Sequence, residues 1–250
     1  MFSLCVPLAQ AQDYYESDGG LYWGVRGGLS QLRQTTSLDW GGFDDDPATA
    51  GVDESMTPHH EWRNLEMDYG YVVGASIGYT MAFPESAADL RFELEGIYRK
   101  NDDGETNAEW VATGDGANTL AGHYFSPIDG SIEVRSAMFN VLVDFHTPTR
   151  FTPYLGVGAG ISQLELDVLV YDIPRITYGY PYPYWSDETV YALSWQAIAG
   201  IGYRLSPGTM LTLEFRYFRL AADRFTWLSQ VQDLDSLKFD DWSIGARFTF

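Results

Sequence analysis

Four groups of residues in this chain are of types that do chemistry. His59 and His60 are adjacent and follow the acidic run Asp44-Asp45-Asp46. Imidazole and carboxylate donors can together hold a divalent metal. Two neighbouring histidines in an acidic, hydrophilic stretch are more often solvated, so no metal site is assigned to them. His123 and His146 have no serine or cysteine at a spacing that would make a nucleophile and base pair, and no catalytic residue is assigned. The stretch 156–161, GVGAGI, has the glycine content of a phosphate-binding loop. That chemistry requires the glycines to open a helix, whereas here they alternate with apolar residues as strand residues do. The fourth group is the sharpest. In 90–99, LRFELEGIYR, the charged residues Arg91, Glu93, Glu95 and Arg99 fall on alternate positions, opposite Leu90, Phe92, Leu94 and Tyr98. In an extended chain alternate residues share a face, so two carboxylates and two guanidiniums line one side of a strand whose other side is apolar.

Which face meets water depends on what surrounds the strand. A soluble sheet wets its charged face. A bilayer-spanning barrel turns its apolar face to lipid and pairs its charges inside. Eight segments carry period-2 alternation bounded by turn residues: about 20–32, 67–81, 89–100, 132–146, 151–164, 190–205, 209–219 and 238–250. Most exceed the usual soluble strand and reach the roughly 9–11 residues that a tilted strand needs to cross a bilayer. No apolar run approaches a transmembrane helix. The one stretch with helical spacing is 225–237, where Leu228, Val231, Leu234 and Leu237 recur and a helical turn is expected.

Short and long connections alternate strictly. Residues 82–88, 147–150 and 206–208 are turns, whereas 33–66, 101–131, 165–189 and 220–237 are long. Up-and-down order then places every turn at one rim and every loop at the other, the arrangement of transmembrane barrels. Charge is sorted the same way. The protein carries 35 acidic and 15 basic residues, and the four long loops hold 22 of the former and 4 of the latter. So acidic a chain lacks the basic surface that nucleic-acid binders need. Cys5 is the only cysteine, which excludes an intramolecular disulfide.

The polar face of the strands is mostly glycine and serine with isolated charges of both signs. Strand 67–81 presents Asp68, Gly70, Gly74, Ser76, Gly78 and Thr80 against Tyr69, Tyr71, Val73, Ala75, Ile77, Tyr79 and Met81. Glycines weaken a solvated strand, but the narrow interior of an eight-stranded barrel requires small residues beside large ones. The expected interior charges are Arg26, Arg91, Glu93, Glu95, Glu214, Arg216 and Arg247. Burial obliges them to pair, with Arg26, Arg216 and Arg247 as cross-lumen partners of Glu93 and Glu95, and with Asp68 and Asp144 also inward. A lipocalin-like soluble barrel, the competing fold, would have an apolar interior.

The stretches LYWGVRGGLS, LRFELEGIYR, TPYLGVGAGIS, WQAIAGIGYRLSPG, LEFRYF and the terminal ARFTF together resemble the small outer-membrane β-barrel family that includes opacity-type proteins and the membrane domain of outer-membrane protein A. The resemblance implies an all-β, eight-stranded antiparallel up-and-down transmembrane barrel, integral to a Gram-negative outer membrane. It implies that the terminal aromatics Phe248 and Phe250 are the signal read by the barrel-assembly machinery; because the sequence ends there, no peptidoglycan-binding domain is expected to follow. Residues 1–11 end in an Ala-Gln-Ala cleavage pattern and are expected to be the remainder of a signal peptide, leaving 12–250 as one barrel domain. The expected function is envelope structure or surface interaction through the acidic loops, with outer-membrane lipid and host or neighbouring surface proteins as partners, a monomeric state and no cofactor. The alternatives are a small-solute pore and a lipid-modifying enzyme. Among the loops, 178–185, YGYPYPYW, presents Tyr178, Tyr180, Tyr182, Tyr184 and Trp185 on a stiff, proline-spaced backbone and is the candidate interaction segment.

Overall fold

The structure is a computed structural model that describes residues 19–33, 39–40, 59–63, 69–102, 106–113, 122–170, 184–221, 224–227, 230–233 and 237–250. Eight long strands form the barrel: β1 Gly20–Leu32, β2 Gly70–Met81, β3 Ala88–Asp102, β4 Gly122–Phe145, β5 Phe151–Val170, β6 Tyr184–Ser206, β7 Thr209–Ala221 and β8 Leu237–Thr249. Each pairs antiparallel with its neighbour in the chain. β1 then pairs with β8, from Tyr22 opposite Thr249 to Leu32 opposite Phe239, and the eight strands close into a barrel.

The turns between β2 and β3, β4 and β5, and β6 and β7 lie at one rim. In the tightest, Pro207 precedes Gly208, whose φ of 72° is the left-handed value that a type II turn needs at that position. The alternation read from the sequence fixes the wall. Leu94, Ile77, Val157, Ile161, Leu193 and Ile244 are exposed on the outside, while Arg91, Glu93, Glu95, Glu214 and Arg216 are buried inside. The opening strand is therefore inverted relative to a soluble sheet: its apolar side faces outward and its charges face the lumen.

Three strands are longer than expected. β4, β5 and β6 have 24, 20 and 23 residues, so they continue well past the membrane. The upper part of β4 pairs with a strand at Thr106–Thr113, which pairs with His59–Arg63, which in turn pairs with Asp39–Trp40. Parts of the segments 33–66, 101–131 and 165–189 are thus β-structure rather than loop. Tyr184 and Trp185 lie on β6, opposite Val170 and Leu169, and not in a connecting loop. The helical turn expected in 225–237 is not formed over its described part; Arg224–Trp227 and Gln230–Asp233 make a two-stranded hairpin. A spacing of three among apolar residues was too short a pattern to outweigh cross-strand pairing.

Candidate functional site

The inward faces of the eight strands stack into layers along the barrel axis. At the turn side lie Asp89, Asp144 and Arg247, with Thr80, Thr152, Arg204 and Met210 around a polar hollow. Asp144 takes Arg91 on one oxygen and Arg247 on the other, each at 3.1 Å. Arg91 also lies over the ring of Tyr154, 4.7 Å from its centroid.

The middle layer centres on Glu95. Arg26 Nε meets Glu95 Oε1 at 2.7 Å, and Arg216 Nη1 meets Oε2 at 2.5 Å. Arg216 reaches on to Glu214 at 2.7 Å, and the Tyr154 hydroxyl donates to the other Glu214 oxygen at 2.7 Å. Asn140 donates to both Glu95 and Glu93, at 2.9 and 3.0 Å, and accepts from Gln196 at 2.8 Å. The Tyr22 hydroxyl donates to Glu93 at 2.8 Å. Six strands supply these side chains, so the network crosses the lumen in every direction. Charged hydrogen bonds of this kind are strong, and burial makes each partner depend on the others.

Room for the network comes from the small residues. A Cβ on Gly78 would lie 2.3 Å from the Tyr22 ring, and one on Gly200 would lie 2.4 Å from that of Tyr154. The glycines therefore make space for two tyrosines as much as for the charges.

Above this layer the lumen changes. Ser136, Ser162 and Ser194 form a hydroxyl chain with links of 2.7 and 2.8 Å, ending on the Met138 sulfur at 3.3 Å. Beyond it, Val72, Ile97, Val134, Leu164, Phe218 and Phe239 pack into an apolar core with Leu32, Ile132, Leu220 and Leu237. One ion pair is embedded there: Arg99 meets Asp241 at 2.8 Å, both wholly buried, and its guanidinium lies 3.9 Å from the Phe218 centroid.

The structure brings Arg26, Glu95, Glu214 and Arg216 together directly. Arg91 and Arg247 it sends to Asp144 instead of the glutamates. Glu93 is held by Tyr22 and Asn140. The expectation of an interior made of small polar residues and charges holds for the lower and middle lumen and fails for the upper part, which is apolar. Tyr22, Tyr154, Asn140, Gln196 and Asp241 were not singled out, although each sits in the polar alternation of its strand. Phe248 stacks on Trp23, with ring centroids 4.5 Å apart, and Phe250 is exposed at the turn-side rim. The segments 44–46 and 178–183 and residue Asp68 lie outside the described residues. GVGAGI lies within β5, with its glycines facing inward.

A family model of the outer-membrane protein β-barrel domain matches residues 1–250. The chain belongs to this family. It is an integral protein of the Gram-negative outer membrane, and its exposed apolar wall is the surface that meets lipid. Outer membrane protein PagN of Salmonella typhimurium is 24% identical over 148 residues, which is 58% of this chain and 55% of PagN. The match thus spans about half the length of that curated relative. The crystal structure of neisserial surface protein A superposes with a TM-score of 0.50 at 15% identity, covering 92% of this barrel and 97% of that chain. OprG of Pseudomonas aeruginosa aligns at 13% identity with a TM-score of 0.42, over 93% of this chain and 97% of its own.

Proposed function

We propose that this outer-membrane barrel is a closed platform whose function resides in its extracellular segments, as a surface-interaction or envelope protein, and that its lumen does not conduct. One observation carries the reading. A network of ion pairs and hydrogen bonds contributed by six strands fills the middle of the lumen, and an apolar core fills it again above. A hydrated ion would have to break the first and dewet the second. The acidic residues are concentrated in the four long segments between membrane-spanning strands, on the side where β4–β6 continue past the membrane. Within this reading Tyr178, Tyr180, Tyr182, Tyr184 and Trp185 contact host or neighbouring surface proteins, residues 1–11 are removed as a signal, and Phe248 and Phe250 engage the assembly machinery. The barrel acts as a monomer without catalysing a reaction.

Planar-bilayer recordings on the folded protein test the closed lumen, and no stable conductance is expected. Large, steady channels would establish the pore reading in its place. Replacing 172–183 by a short turn should leave folding unchanged and abolish adhesion to cells or matrix if that segment is the contact.

A further inference from the structure

Among the described residues two methionines lie inside the barrel, and they face different surroundings. Both are buried, so exposure does not separate them. Met138 packs with the apolar core of the upper lumen, and its sulfur takes the last hydroxyl of the serine chain, that of Ser194, at 3.3 Å. Met210 on β7 sits instead in the polar hollow at the turn side. It stands directly opposite Arg247 on β8 and opposite Arg204 on β6. Arg247 Nη2 donates to its sulfur at 3.1 Å. Packing alone does not call for a thioether between two arginines.

The hollow supplies room as well as polarity. It has a volume of about 30 Å³ and opens at the turn-side rim, with Gly208 of the β6–β7 turn and Thr249 in its lining. A water molecule needs roughly 10–15 Å³ of such space, so two oxygen atoms fit, which is the size of hydrogen peroxide. Thr80 and Thr152 add hydroxyls to the wall. Space at the sulfur itself comes from Gly202, where a Cβ would lie 2.2 Å from Met210 Sδ. A thioether is oxidised where an oxidant reaches it, and oxidation turns an apolar side chain polar. At Met138 the added oxygen would enter an apolar core. At Met210 it would meet a guanidinium.

We propose that Met210 is a modification site for hydrogen peroxide entering the lumen from the turn side, and that Arg247 holds the sulfoxide that forms. The sulfur lone pair attacks one peroxide oxygen, the O–O bond breaks, and an S–O bond forms. The departing hydroxide takes the proton left on the transferred oxygen, so sulfoxide and water are the products. Sulfur loses two electrons and the peroxide gains them. The new oxygen is a better acceptor than the thioether sulfur, and its bond to a guanidinium is charge-assisted. Arg247 also holds Asp144 at 3.1 Å. When it turns to the sulfoxide, Asp144 keeps Arg91, and the barrel stays folded with the modification in place. Peroxide needs only the lower hollow, so the site does not depend on whether the lumen conducts.

The test exposes the folded full chain in zwitterionic micelles to hydrogen peroxide and follows each methionine by peptide mass spectrometry. Met210 should gain one oxygen about tenfold faster than Met138, with heat-modifiable migration on gels unchanged. M210L should remove that product and leave Met138 as slow as before. In R247Q the sulfoxide loses its donor, so oxidation should lower the urea midpoint, whereas the wild-type midpoint should stay in place. If R247Q fails to fold, the ratio of the two rates in the wild type decides by itself. Equal rates at the two methionines, oxidation of Met210 only in unfolding concentrations of urea, loss of the folded band once Met210 is oxidised, or an R247Q midpoint indifferent to oxidation would each overturn the assignment.

Discussion

Between Glu95 and Phe239 the lumen passes from charged to apolar. Both regions face the same enclosed space and neither touches lipid, yet they fill it by opposite means. In the middle, Arg26, Arg216, Glu95 and Glu214 compensate one another; Glu95, Glu214 and Arg216 each have more than one partner, and Arg26 is held by Glu95. Above, Phe218, Phe239, Leu164 and Val134 exclude water by packing, around the self-contained ion pair of Arg99 and Asp241. The difference shows that a narrow barrel need not have a polar interior. It needs a full one. Where the outer wall must be apolar for lipid, the inner wall is free to be polar or apolar as long as no charge is left alone.

This contrast can be broken most severely at its centre. Glu95→Gln leaves Arg26 and Arg216 buried without their shared carboxylate, a loss expected to cost roughly 3–5 kcal/mol. Denaturant-induced unfolding of the refolded protein measures it. Adding Arg216→Met should recover part of the loss, and strict additivity in that double-mutant cycle would show that the two groups are not coupled. In the upper region Phe239→Ala should cost a comparable or smaller amount, about 3 kcal/mol. No second-site change of charge should rescue it, because what is lost is packing. If a charge substitution did restore stability there, the division into two regimes would fail. The smallest effect sharpens the boundary between wall and lumen. Gly200→Ala places a methyl group against the Tyr154 ring and should cost about 1–3 kcal/mol through overpacking. The same change at Gly96, which faces outward into open space, should cost nothing measurable by the same unfolding assay.

The strands that cross the membrane were legible in the sequence because their two faces see different media. Leu94 and Glu95 differ in character since one meets lipid and the other an interior partner, and period-2 alternation records that difference directly. The short turns were legible for local reasons, with Pro207 and Gly208 carrying their own backbone preferences. Outside the bilayer the signal fades. Beyond the membrane, only pairing between distant segments makes strands of Thr106–Thr113 and Tyr184–Ser186.

The interior divides along the same line. The sequence by itself determined that Arg26, Glu93, Glu95, Glu214 and Arg216 share the inward side, since each strand's alternation is a local property. It also determined that cations and anions are both present to neutralise one another. Only the tertiary structure decided who meets whom: that Arg247 and Arg91 share Asp144, that Glu93 rests on Tyr22 and Asn140, and that Val72 and Ile97 belong to an apolar layer. Those choices depend on the height of each residue along the barrel axis. Height is set by the register between strands, and register is a property of the closed sheet that no single strand contains.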